Sequence, residues 1–131
     1  MRQGFRRALP TLIVVLAATA ASFAHHSVSG QFDPSKTVTL TGVISKVEWI
    51  NPHIYLHLDV KADNGTVTTW ALATLPTAMM RRAGLTRESV QGKPGEIVTI
   101  AANPARDESR SLGWITRITY ADGHTFSPAG Q

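Results

Sequence analysis

The sequence predicts a mainly β fold: a small antiparallel OB-like barrel of five to six strands, with one short helix between strands three and four. Three observations support this prediction. Val, Thr and Ile are concentrated in short segments separated by turn signals, which is typical of small barrels. Residues 54–60 alternate aliphatic and polar side chains with the period of a half-buried strand. One convincing helical segment follows Leu75-Pro76. A small open sandwich is the alternative arrangement.

Residues 1–24 have the pattern of a secretory signal peptide. Arg2, Arg6 and Arg7 precede an apolar run at residues 12–21, and small residues occupy the two positions that a signal peptidase reads. The run is shorter than the roughly 20 residues of a membrane-spanning helix. We therefore expect a protein of the periplasm or the medium, without stable membrane insertion after cleavage. Arg6-Arg7 also suggests twin-arginine export, although Pro10 favours general secretion.

The charge balance argues against a nucleic-acid partner. Residues 1–24 carry three of the 13 basic residues and none of the nine acidic ones, so the net charge falls from +4 to +1 when they are removed. Nucleic-acid binding requires a concentrated basic surface. The high isoelectric point therefore belongs mostly to the targeting segment.

The mature chain is expected to form one domain. About 107 residues provide one core, and the absence of cysteine leaves stability to packing and restricts any metal site to nitrogen and oxygen ligands. The predicted organisation is a signal peptide at 1–24, an irregular arm at 25–36 that Phe32 attaches to the body, a barrel at 37–126 and a tail at 127–131.

The first three strands are predicted at residues 37–49, 53–61 and 66–73. Gly42 is the expected bulge or bend of strand one, with Val43, Val47 and Trp49 on one of its sides. Asn51-Pro52 interrupts the chain before strand two, because proline cannot donate a ladder hydrogen bond. Between strands two and three, Asn64-Gly65 predicts a hairpin with a type I′ turn.

The second half of the barrel begins with the helix, predicted at residues 77–83. Thr77 is the expected cap, Gly84 the terminator, and Met79, Met80 and Ala83 the apolar side that packs in the core. A further turn is expected at residues 86–90. Strands four and five are predicted at residues 96–102 and 113–120, separated by a polar loop and followed by a short return through Phe126.

Several segments together form a recognisable pattern: Ala24-His25-His26-Ser27, Phe32-Asp33-Pro34, Leu40-Thr41-Gly42-Val43, Val47-Glu48-Trp49-Ile50-Asn51-Pro52-His53, Trp70 and Lys93-Pro94-Gly95. In these segments the chain resembles a family of small exported bacterial proteins of uncharacterised function. The resemblance covers nearly the whole mature chain and implies an exported β-barrel-like domain, without an assigned reaction. Members often carry an acidic residue shortly after the tryptophan that matches Trp70, whereas Ala73 and its neighbours are uncharged here.

The histidines at the predicted cleavage point suggest a copper site. Cleavage after Ala24 makes His25 the first residue, whose α-amine has a reference pKa near ~8 and can join its own imidazole in chelating a metal. A third nitrogen from another imidazole would complete a histidine brace, which suits Cu(II). His26 provides a second mode, through the amine, the following amide and its own ring.

The third ligand is expected to be His53. On one strand, His53 and His57 would have α-carbons roughly 13 Å apart, at about 3.3 Å per residue, so they cannot easily share an ion. His53 also lies beside Asn51, which we expect to orient its ring. These residues predict a periplasmic copper carrier or buffer, and not an enzyme; a copper oxidase or oxygenase using the same brace is a minor alternative.

The competing hypothesis is a binding module that uses no metal. Asn51, Tyr55 and His57 would then form a face for a periplasmic protein or a small molecule, as OB-like barrels commonly provide. Trp114 could add to a shallow groove, while Trp49 and Trp70 are expected in the core. The sequence contains no recognisable nucleophile elbow or phosphate loop.

Overall fold

The computed structural model describes residues 28–128. The chain divides into two units, Met1–Gln31 and Phe32–Gln131, and residues 28–31 of the first are helical, where the sequence predicts an irregular arm. The strands and helices of the second unit are β1 (Val38–Glu48), β2 (Tyr55–Lys61), β3 (Val67–Ala73), α1 (Thr77–Arg82), α2 (Arg87–Gln91), β4 (Ile97–Pro104), β5 (Leu112–Thr119) and β6 (Thr125–Phe126).

Five of the strands close into a barrel, which confirms the predicted fold class. The order is β3-β2-β1-β4-β5-β6, and all neighbours in this order are antiparallel. A short parallel pairing of β3 with β5, from Ala71↔Leu112 to Ala73↔Trp114, closes the sheet on itself, so the strands form a barrel and not an open sandwich. β6 is the extra strand.

The bulge of β1 lies at Ser45, so the prediction of a bulge at Gly42 is wrong. The register with β2 shifts between Ile44 and Lys46, and this extra residue makes Ile44 and Val47 the buried pair instead of Val43 and Val47. Gly42 has another role: a Cβ there would lie 2.2 Å from the Asp59 carbonyl oxygen. β1 therefore needs glycine at this position, where any Cβ would clash with the backbone of β2.

The alternation predicted for strand two is confirmed, but the strand starts two residues later, at Tyr55. Ile54, Leu56 and Leu58 are buried. In the following turn only Gly65 has a positive φ, of 85°, so the predicted type I′ turn, which requires positive φ at both central residues, is wrong. The hydrogen bonds from Gly65 N to Ala62 O and from Ala62 N to Thr66 O describe a three-residue loop with glycine at its last position.

The segment between β3 and β4 contains two short helices, where the sequence predicts one helix and a further turn at residues 86–90. Pro76 precedes α1 and no side chain caps it, so the capping role predicted for Thr77 is wrong. Gly84 follows the helix end with a φ of 75°, as expected. The second helix, α2, begins with a capping box formed by Thr86 and Ser89.

The barrel interior is filled by aliphatic side chains from all five barrel strands and both helices. Met80 is buried, whereas Met79 is 48% exposed and does not share the apolar side predicted for both. Trp49 and Trp70, expected in the core, are half-buried and pack against it. The buried cluster consists of Ile44, Val47, Ile54, Leu56, Leu58, Leu72, Met80, Val90, Val98, Ile100, Ala102, Ile115, Ile118 and Tyr120.

Candidate functional site

The connection between β1 and β2 is attached to the chain that leads into α1. Asn51 Oδ1 accepts a hydrogen bond of 2.9 Å from Thr77 Oγ1, and the Ile54 carbonyl accepts one of 2.9 Å from Thr74 N. His53 lies between these two attachments. Its backbone is therefore positioned from both sides, although it belongs to no strand.

Three rings lie in a row at this end of the barrel, and His53 is one of them. The imidazole of His53 and the indole of Trp114 meet edge to face, with their centroids 5.4 Å apart. The ring of Phe32 also lies against this indole, with the centroids 5.9 Å apart and a tilt of 49°. We call Phe32, Trp114 and His53 the aromatic row. The row connects the first residue of the barrel unit to the candidate ligand.

The two ring nitrogens of His53 differ in burial. Nδ1 is buried and has no hydrogen-bond partner, while Nε2 is not among the buried nitrogens. Within residues 28–128, neither nitrogen is engaged by another side chain or by backbone. An unpaired polar atom in a protein interior destabilises the folded state by about 1–3 kcal/mol. Hydrogen bonding therefore does not explain the position of this imidazole.

The outer surface of β1 and β2 carries a second polar group around His57. Its Nε2 is buried, lacks a hydrogen bond, and lies 3.5 Å from Glu48 Oε1. The Lys46 ammonium contacts the same carboxylate and holds the pKa of Glu48 below its usual range. Tyr55 stands opposite Glu48 in the β1–β2 register. Glu48 is thus shared between a cation and an imidazole.

The predicted site residues fall in three places. His25 and His26 lie outside the described residues. Tyr55 and His57 lie on β2 as expected, while His53 precedes the strand, so the prediction that it shares a strand face with His57 is wrong. Asn51 is engaged with Thr77 and not with His53, which overturns its predicted role in orienting the imidazole.

The sequence does not indicate the roles of two neighbours of these residues. It predicts Trp114 only as part of a shallow groove, and it predicts no role in the site for Glu48. Their contacts depend on the β1 bulge and on the β3–β5 closure, and the sequence has no local signal for either contact. Among residues 28–128, no three His, Asp or Glu side chains converge as a set that could hold a metal ion.

Comparison with known proteins establishes the family. The profile of a family of unknown function, DUF6152, matches residues 13–114, and the chain belongs to this family. Neither a curated protein nor a solved structure matches the chain. Within residues 28–128 there is no helix of the length and apolar character needed to cross a membrane.

Proposed function

We propose that the mature protein is an exported copper-binding protein that carries or buffers Cu(II) in the periplasm. Its ligands are the α-amine and imidazole of His25 together with the imidazole of His53, and His26 provides the alternative chelate at the same terminus. The observation that carries the proposal is the His53 imidazole, which is positioned by packing and makes no hydrogen bond to any described residue.

The chemistry of this set fits Cu(II). The chain has no cysteine, and nitrogen ligands suit divalent copper. A terminal amine with a reference pKa near ~8 releases its proton to a metal at neutral pH. His53 would bind through Nε2, because Nδ1 is buried.

The surroundings of His53 favour reversible binding. A histidine that ligates a metal usually donates its other ring N–H to an oxygen, and losing that partner costs about 10–100-fold in metal affinity. The nearest expected partner, Asn51, is already bonded to Thr77, and Nδ1 has none. A ligand held by aromatic packing alone suits a protein that must release its metal.

The test compares two forms of the mature protein that both begin at His25, one with a free α-amine and one whose α-amine is acetylated. Cu(II) is titrated into each against a competing chelator. Acetylation removes the amine as a ligand, so we expect an affinity at least ten-fold lower. Equal affinity for the two forms would exclude both chelation modes of the terminus.

Substitutions locate the third ligand. His53→Ala should weaken binding to the native terminus, whereas His124→Ala should leave it unchanged. His124 is a matched control because it stacks on Tyr120 and its Nδ1 contacts Asp122. If the two substitutions have the same effect, His53 is not a specific ligand.

The second candidate function is a binding module that uses no metal. It is favoured by the half-buried His57, whose Nε2 makes no hydrogen bond and faces Glu48, next to Tyr55 on the outer face of β2. OB-like barrels commonly bind ligands on the face of strands two and three. For this function, a double substitution of Tyr55 and His57 to alanine should abolish partner binding and chelators should have no effect; loss of binding on chelation would contradict it.

A further inference from the structure

A cleft of about 460 Å³ opens at the end of the barrel where β1 begins. Binding pockets for small molecules usually have about 300–1,000 Å³. Its described lining includes none of His53, His57 and His124. Its lining residues are Lys36, Thr37, Val38, Trp70, Pro104, Ala105, Glu108 and Arg110.

Trp70 forms the apolar wall of this cleft because the barrel closes incompletely beside it. β3 pairs with β5 only from Ala71 onward, so Trp70 is the last β3 residue before the closure. Its register partner on β2 is the buried Leu58, and the indole packs against the core cluster. The ring is thus fixed on one side and exposed to the cleft on the other.

The rim of the cleft carries one acidic and two basic side chains. Lys36 and Glu108 form an ion pair between the start of β1 and the β4–β5 loop, and this pair raises the pKa of Lys36. Arg110 makes no ion pair or side-chain hydrogen bond with a described residue, and its charge acts on Asp107 only through space. A free guanidinium therefore stands at the edge of an aromatic wall.

We propose that this cleft binds a small, flat, apolar anion, such as an aromatic carboxylate or sulfonate. The ring system lies against Trp70 and the apolar side chains of Val38 and Ala105, and the anionic group meets Arg110. A guanidinium suits this role because its planar N–H groups match two anion oxygens. The opposite charges of Lys36 and Glu108 cancel each other, so Arg110 supplies the net positive charge of the cleft.

The test uses two fluorescent probes of nearly the same shape, 8-anilinonaphthalene-1-sulfonate and the uncharged N-phenyl-1-naphthylamine, titrated into the folded mature protein. Arg110→Glu should weaken sulfonate binding at least ten-fold and change binding of the uncharged probe less than two-fold. Glu108→Gln should tighten sulfonate binding several-fold, because it removes the acidic group from the rim. Arg82→Glu, on the exposed side of α1, is the matched control and should change neither affinity.

The sulfonate probe also binds loosened cores, so the thermal transition of each variant is measured in the same buffer. A second cleft, lined by Leu75, Leu85, Phe126 and other uncharged residues, is the competing position. If the Arg110 and Glu108 variants bind the sulfonate like the parent, or if Phe126→Ala is the change that removes binding, the proposal is overturned. Absence of sulfonate binding by the folded parent would also overturn it.

Discussion

The imidazole of His53 stands edge to face against the indole of Trp114, with an interplanar angle of 87° and 5.4 Å between the ring centroids. The two residues are 61 positions apart and come from the β1–β2 connection and from β5. An edge-to-face pair contributes about 0.5–1.5 kcal/mol beyond its buried area. In the absence of a hydrogen bond, this contact is what defines the direction of the proposed copper ligand.

Replacing Trp114 should therefore weaken copper binding, although Trp114 is not itself a proposed copper ligand. Trp114→Leu frees the His53 ring to adopt other rotamers, and we expect about a ten-fold loss in Cu(II) affinity, in the range seen when groups that orient a ligand are removed. Trp70→Leu is the control, because Trp70 is also half-buried but lies in the cleft and outside the aromatic row. Equal losses of Cu(II) affinity in the two variants would show that the loss comes from general destabilisation and not from the orientation of the His53 ring.

The hydrogen bond from Thr77 to Asn51 should stabilise the barrel measurably. Thr77 is buried, and its hydroxyl reaches Asn51 at 2.9 Å. Thr77→Val keeps the shape and removes the donor, so the free energy of unfolding should fall by about 1 kcal/mol in urea titrations. Thr77→Ser keeps the hydroxyl donor, so it should retain most of the free energy of unfolding that Thr77→Val loses. A valine variant as stable as the parent would mean that the bond makes no net contribution.

Among the described glycines without a positive φ, Gly42 should be the one whose substitution destabilises the fold most. In Gly42→Ala the carbon of the new methyl group would lie 2.2 Å from the Asp59 carbonyl oxygen. This clash can be relieved only if β1 moves away from β2. We expect a loss of about 3 kcal/mol, the cost of overpacking a closely packed site, seen as a lower thermal midpoint. Gly30→Ala, with open space around the new Cβ, should change stability by less than about 1 kcal/mol.

Tyr120 should make stability depend on alkaline pH. Its hydroxyl donates a hydrogen bond of 2.8 Å to Val90 O, and burial raises its pKa to about 12. A tyrosine in the unfolded chain ionises near ~10. From about pH 10 to 12 the unfolded chain therefore holds fewer protons than the folded one, and the free energy of unfolding falls as pH rises.

A comparison with Tyr120→Phe isolates this effect. The variant lacks the hydrogen bond, so it should be less stable than the parent by about 1 kcal/mol at pH 8. It also lacks the ionisable group, so the gap should narrow between about pH 10 and 12 in urea titrations. A gap that is constant or widens with pH would contradict the burial of a neutral phenol.

The parts of the fold that sequence predicts well are those with local causes. The alternation of Ile54, Leu56 and Leu58 marks a half-buried strand, and Gly65 marks the hairpin because a turn there requires positive φ. The bulge at Ser45 has no such local cause. It depends on how β1 pairs with β4 over one half of its length and with β2 over the other.

The candidate site is harder to predict from the sequence for the same reason. The position of His53 beside Asn51-Pro52 marks it as a candidate, but the contact with Trp114 exists only after the β3–β5 pairing brings β5 to that end of the barrel. The bond between Asn51 and Thr77 likewise joins segments 26 residues apart. The cleft beside Trp70 is a consequence of the incomplete length of the β3–β5 pairing, which no residue pattern encodes.

The copper proposal is tested most directly by isolating the protein from the periplasm of a host that expresses the full chain. Mass spectrometry of the intact mature protein identifies its first residue, and elemental analysis of the same sample measures bound metal. The proposal predicts a chain that begins at His25 and carries about one copper ion. A chain that begins elsewhere, or one that begins at His25 and takes up no copper when the growth medium supplies it, would contradict the proposal.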